Sequence, residues 1–315
     1  MKRKSEPPIF GGLITALVTP FRGDQIDFEA LAELVDWQIG QGVQGLVACG
    51  TTAESPTLSA SEWADVIRLC VDVSRGRAPV IAGSGTNDTR RTIEMTREAA
   101  RLGADGALVV TPYYNRPGQE GLFRHFDCVS RSTELPIILY NVPARTGLDI
   151  SVDTLERLAE SPGIVGIKDA TGDLAKARET VSRLGDRFTL LSGHDRSTPE
   201  FMAVGGDGAI SVISNLTPRL CAAMIFALQQ NEPVEARRIQ ALLLPLQKAL
   251  ELETNPGPVK YALHCTRGYA PSVRLPLVEV TDDTALRIRE AIATLTMPTV
   301  RLSMGDATSV CWRSA

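Results

Sequence analysis

The sequence predicts an α/β protein closed into a (β/α)8 TIM barrel, with a C-terminal helical appendage. Eight short apolar runs alternate with stretches of helical period, and the strand signal ends near residue 230. A length of 315 residues also fits, since such a barrel takes about 250 residues in one piece. A doubly wound open sheet shares the alternation and is the rival arrangement; the count of eight favours closure.

The runs are GLITALVTP (12–20), GVQGLVACG (42–50), PVIAGSG (79–85), GALVVTP (106–112), PIILYNVP (136–143), IVGIKDA (164–170), FTLLSGHD (188–195) and GAISVIS (208–214). They are nearly continuous in apolar residues, as in parallel strands buried on both faces. Between them, residues 27–42 place Leu31, Leu34, Val35 and Ile39 on one helical face. In residues 59–76, Ser59 with Glu62 three positions later is a capping-box pattern. Beyond 230, the segments 232–253, 257–268 and 281–297 read as helices. The expected organisation is a catalytic barrel over 1–230, helices over 231–297 and an aperiodic, disordered tail over 298–315.

A formal net charge of −4 gives no basic field for nucleic acid. Residues 1–10 lack the apolar stretch of a signal peptide, and no run approaches the roughly 20 apolar residues of a membrane span. Six scattered cysteines without a CxxC pair point to a reduced, cytoplasmic protein. His125, His194 and His264 lack zinc-ligand spacing, so neither a metal nor another cofactor is implied. GSG at 83–85 lacks the GxGxxG spacing of a nucleotide loop, and GGDGA at 205–209 reads as a turn into the last strand.

In a barrel the chemistry sits at the C-terminal strand ends. Those ends read CGTTAES (49–55), GSGTND (83–88), TPYYNRPG (111–118), YNVPARTG (140–147), KDATGD (168–173) and SGHD (192–195). Lys168 closes the apolar run IVGI. It either snorkels from the barrel mouth, pairs with Asp169 or Asp173, or acts as a nucleophile. A lysine amine attacks a carbonyl only when neutral, and an ordinary lysine is neutral about once in two thousand at pH 7. Withdrawal from water disfavours the charged form, which is what an imine-forming lysine needs. Gly50, Thr51 and Thr52 form either a capped βα turn or a nest of N–H and hydroxyl groups for a carboxylate. Tyr140 is a barrel-top aromatic or, one strand from Lys168, a proton shuttle. Arg145 is a solvated charge or a fork for a substrate carboxylate. Glu54 is expected to serve a helix macrodipole.

These motifs bear a resemblance. GTTAES, TPYYNRPGQEGL, YNVPARTG, GIKDATGD and NPGPVK (255–260), in this order, make the chain similar to the dihydrodipicolinate synthase family from about Gly12 to Thr296. That family lies within the pyruvate-dependent class I aldolases, which include N-acetylneuraminate lyase. The resemblance implies a homotetramer built from tight dimers. It implies that pyruvate forms an imine and then an enamine on Lys168, which attacks L-aspartate-4-semialdehyde. Thr51, Tyr114 and Tyr140 match the family's proton relay, with Tyr114 reaching a neighbouring subunit's site. Thr52 matches the pyruvate carboxylate nest, Arg145 the semialdehyde carboxylate's partner, and Gly193 and Ile210 the pocket lining. Another pyruvate-imine lyase or dehydratase on this scaffold is the alternative reading, and a non-catalytic acid-binding barrel a more distant one.

The chain departs from the family pattern at three places. Ala53 stands where relatives carry a glycine, which strains the loop if the position needs a positive φ. His194 stands where relatives often carry an acid. Tyr113, Ser55 and Asn87 match the site of lysine-inhibited members, but Ala60, Trp63 and Arg91 replace two histidines and a glutamate there. The expectation is weak or absent inhibition by lysine.

Overall fold

The computed structural model describes residues 9–185 and 187–295; the tail at 298–315 lies outside them. Eight parallel strands close into a barrel: β1 (Gly12–Ala16), β2 (Gly45–Ala48), β3 (Val80–Gly83), β4 (Gly106–Val110), β5 (Ile137–Asn141), β6 (Ile164–Asp169), β7 (Thr189–Ser192) and β8 (Gly208–Ser211). Each strand pairs with the next in sequence, and β1 closes the ring against β8 with Ile14 opposite Ile210. The open-sheet alternative is therefore excluded. A short hairpin, Phe21–Arg22 with Gln25–Ile26, follows β1. The sequence reading did not anticipate it, because two-residue strands leave no periodicity.

Helices α1 (Phe28–Gly40), α2 (Ala60–Ser74), α3 (Thr89–Arg101), α4 (Gln119–Ser130), α5 (Val152–Leu158), α6 (Leu174–Leu184), α7 (Thr198–Ala203) and α8 (Pro218–Gln229) surround the barrel. Three more follow: α9 (Pro233–Leu250), α10 (Gly257–Arg267) and α11 (Asp282–Leu295). Sequence explains the boundaries. Asp27, Asp88 and Asp173 accept N–H bonds from the first turns of α1, α3 and α6. Ser59 and Glu62 form the expected reciprocal capping box at α2. On α1, Leu31, Leu34 and Val35 are buried as expected, and so is Gln38, which bonds Thr15 Oγ1 and the Ser214 carbonyl at 2.9 Å each. No helix among the described residues is long and apolar enough to cross a membrane.

Alternation along the strands builds two cores. Leu13, Leu46, Val80, Ala107, Ile137, Leu190 and Ala209 face the helices. Their neighbours Ile14, Val47, Ile81, Leu108, Ile138, Leu191 and Ile210 fill the barrel.

Between α3 and α4, His125 is buried with Nδ1 2.9 Å from Thr89 Oγ1 and Nε2 without a partner. Burial pushes its imidazole down to about 4. The folded state thus holds it neutral while the unfolded chain takes up a proton below about pH 6.5. Its contribution is fully present above that pH and is lost as pH falls towards 4, by up to about 3 kcal/mol. Urea titrations across this range are expected to show a shallower loss of stability in His125→Gln than in the parent; parallel curves would contradict the assignment.

Candidate active site

Strand parity decides which side chains enter the barrel. On β5, Leu139 faces the helices and Tyr140 the interior; on β6, Ile167 faces the helices, so Lys168 turns inward. The β5–β6 register sets Tyr140 directly opposite Lys168. Lys168 is only 6% exposed, and its Nζ lies 4.2 Å from the centroid of the Tyr140 ring. The two carboxylates that sequence offered as its partners are engaged elsewhere. Asp169 accepts from the Thr171 N–H at 2.7 Å and the Thr171 hydroxyl at 2.5 Å, and Asp173 caps α6. Among the described residues Lys168 has no ion-pair partner, whereas Lys176 pairs with Asp149 and Asp169 and Lys260 with Glu54.

Gly193, just past β7, leaves room for this lysine. A Cβ there would sit 2.9 Å from Lys168 Cε and 2.9 Å from Ala170 Cβ, closer than carbon atoms approach. Ile210 is buried in β8, in the same interior cluster as Tyr140.

After β2 the chain makes a 3-10 turn, Thr51–Ala53. Thr52 is buried, and its Oγ1 accepts from Asn255 Nδ2 at 3.0 Å. Ala53 is not among the positive-φ residues; Cys49 (φ 54°) and Glu54 (φ 58°) are. The missing glycine therefore costs no strain at position 53. Glu54 corrects the expectation of a macrodipole role. It precedes α2 by a second short turn, its side chain is 0% exposed, and its Oε1 accepts from Lys260 Nζ at 2.7 Å. Burial outweighs the attraction of Glu54 and pushes the Lys260 ammonium down to about 8.

Arg145 is exposed, with Nη2 donating to the Asn255 carbonyl at 3.2 Å. A cavity of about 550 Å3 is lined by Thr51, Val142 and Arg145 and by Tyr113, Trp63 and Arg91, but not by Lys168 or Tyr140. Ser55 and Ala60 also line it; Asn87 does not. Arg91 is paired with Glu94 at 3.3 Å. One expected site residue stands out into solvent. Tyr114, at φ 69°, is 90% exposed. His194, one of the departures from the family pattern, turns to Ser197, Nδ1 to Oγ 2.9 Å, with Nε2 3.9 Å from Glu251. Asn255 and Lys260, both inside the NPGPVK motif, were not assigned roles from sequence, because their partners lie about two hundred residues upstream.

A barrel with a buried inward lysine beside a tyrosine has the makings of a class I aldolase-type lyase. Comparison with known proteins agrees. Residues 9–295 match the model of the dihydrodipicolinate synthetase family. The 4-hydroxy-tetrahydrodipicolinate synthase of Rhodospirillum centenum is 50% identical over 284 residues, covering 90% of this chain and 98% of that protein. The crystal structure of dihydrodipicolinate synthase from Aquifex aeolicus superposes with a TM-score of 0.90 at 42% identity, covering 92% of this chain and 99% of that one. The synthase of Acinetobacter baumannii, solved in complex with pyruvate, gives 0.90 at 42% identity, over 91% and 99%. The chain belongs to the dihydrodipicolinate synthetase family.

The close approach at Gly193 yields a test. Gly193→Ala is expected to fold, with a lower melting temperature from the clash with Ala170, and to lose roughly tenfold or more of the reactivity of Lys168 towards carbonyl compounds, because the lysine stem must shift. Unchanged borohydride trapping of a keto acid in this variant would contradict the placement.

Proposed function

We propose that this protein joins pyruvate to L-aspartate-4-semialdehyde, giving 4-hydroxy-tetrahydrodipicolinate for lysine biosynthesis, through an imine on Lys168. The observation that carries this reading is the buried, unpaired Nζ lying over the Tyr140 ring. A lysine withdrawn from water and from carboxylates has its nitrogen free for a carbonyl carbon.

Nζ attacks the pyruvate ketone, and the carbonyl oxygen leaves as water. Loss of a methyl proton converts the imine to an enamine, whose carbon attacks the aldehyde of the second substrate. The amine of that substrate then displaces Nζ, which closes the ring and frees the lysine. Tyr140 stands beside Nζ, and Thr51 lines the cavity; with Tyr114 they make the proton relay. The leading N–H groups of the Thr51–Ala53 turn have no acceptor within the turn, which suits the pyruvate carboxylate, with the Thr52 hydroxyl alongside. Gly193 and Ile210 shape the pocket around the methyl group. Arg145, exposed at the cavity, takes the semialdehyde's carboxylate.

Tyr114 is too exposed to serve its own chain's site, so its role belongs to a second copy. The assembly we propose is a homotetramer, a dimer of dimers, in the cytoplasm, with neither nucleic acid nor membrane as a partner.

Borohydride added with pyruvate is expected to fix an adduct on Lys168, read by mass spectrometry. Lys168→Ala is expected to give none and to lose turnover with the semialdehyde on the order of 10³-fold or more. Retained turnover in that variant would refute the imine, and preference for a different aldehyde in a substrate panel would favour another lyase of this scaffold.

The cavity suggests a regulatory outcome. It holds Trp63, Ala60 and Arg91, and the Arg91 guanidinium opposes a ligand's ammonium even though Glu94 pairs with it. Millimolar lysine is expected to leave initial rates unchanged, and strong inhibition would show that Glu94 dominates the local field.

A further inference from the structure

We propose that Glu54 and Lys260 are positioning residues, a buried ion pair that fixes the Thr51–Thr52 turn against α10, so that the helices beyond the barrel complete the pyruvate pocket. This rests on the reading of that turn as the carboxylate site.

Both oxygens of the Glu54 carboxylate are committed to distant sequence. Oε1 accepts from Lys260 Nζ at 2.7 Å, and Oε2 from the Arg274 backbone N–H at 2.8 Å. Lys260 is 2% exposed and its ammonium lies 4.0 Å from the centroid of the Phe21 ring, itself fully buried. Arg274 stacks on the same ring at 4.5 Å and bonds the Thr57 carbonyl and the Glu62 carboxylate at 2.9 Å each. Arg274 thus ties the pair to the segment at Thr57 and Glu62.

Glu54 is also the joint of the loop. At φ 58° and ψ 36° it closes one 3-10 turn and opens the next, and its N–H donates to the Thr51 carbonyl at 3.1 Å. Moving Glu54 therefore moves the turn that presents Thr51 and Thr52. The chain entering α10 makes a second attachment five residues before Lys260, where Asn255 Nδ2 reaches Thr52 Oγ1. One motif, NPGPVK, grips the turn at two points.

Burial of two opposite charges is a poor route to stability, since a well-packed apolar pair does as well or better. What the pair supplies is a single geometry, because each oxygen has one donor in one direction. That is a requirement of a carboxylate nest, where small displacements of the donors are costly.

The test uses the full chain as Glu54→Gln, Lys260→Met and the double variant. Each single variant leaves one buried group unpaired and is expected to melt lower. The double variant leaves no unpaired charge, and it decides the matter where a single variant fails to fold. The readout is borohydride trapping of pyruvate on Lys168. In the folded double variant the half-saturating pyruvate concentration is expected to rise about tenfold or more. The trapping rate at saturation is expected to stay within about threefold of the parent, as for a loss confined to binding. A half-saturating concentration equal to the parent's overturns the proposal, even if less protein is trappable. A parent chain that traps no pyruvate overturns the functional reading beneath it, and the clamp with it.

Discussion

The register between β5 and β6 is the constraint on which the site depends. It places Tyr140 opposite Lys168 on the inward face, and a slip of one residue in either strand would turn that strand's member of the pair towards the helices. The next pair along, Asn141 and Asp169, faces the other way and holds the register from outside. Asn141 Nδ2 reaches Asp149 at 2.7 Å and Asp169 at 3.4 Å, and its Oδ1 accepts from the Ile150 N–H at 3.1 Å. Lys176 joins the two aspartates. Adjacent residues on the same two strands thus divide the work: the inner pair faces the barrel interior, and the outer pair keeps the strands aligned.

The protein sets three lysines in low-exposure surroundings and treats them differently. Lys176 and Lys260 are each given carboxylates, and their charges serve packing. Lys168 is given an aromatic face and a glycine but, among the described residues, no acid. Burial alone does not mark a reactive amine. The distinction is burial without a counter-charge, because a salt-bridged nitrogen is committed to its partner and one beside a ring is not.

This also explains how far the sequence could be read. Parallel strands buried on both faces appear as continuous apolar runs, so all eight were legible, together with the polar residues at their ends. The facing of Lys168 stays open in the sequence between the barrel mouth, a carboxylate partner and a reactive site, and it is decided by the strand parity that puts Ile167 against the helices. The environment of Glu54 was not legible. Its partner is 206 positions away, and a local rule assigned it to a helix end that lies farther down the chain. Ala53 was flagged for strain because the loop's positive φ was attributed to the wrong residue; the left-handed conformations fall on Cys49 and Glu54. Tyr114's exposure and the direction of His194 are likewise set by tertiary packing, which composition and period do not encode.

The two ends of the proposed site are built to different standards. The turn for pyruvate is tied to a fully buried ion pair, to Asn255 and, through the Ala53 carbonyl, to the Thr19 hydroxyl at 2.9 Å. Arg145, at the aldehyde end, is exposed and held by one backbone carbonyl. A rigid nest favours one small acid, since displaced donors lose most of their value. An exposed arginine on the one-turn helix Pro143–Thr146, outside the barrel strands, tolerates local change without disturbing the barrel. On such a scaffold the keto acid is fixed by the core, and the identity of the second substrate rests on a few rim residues. On the proposed reading, discrimination between aldehydes falls to YNVPARTG and to the surface where Tyr114 of a second copy would enter, rather than to Lys168.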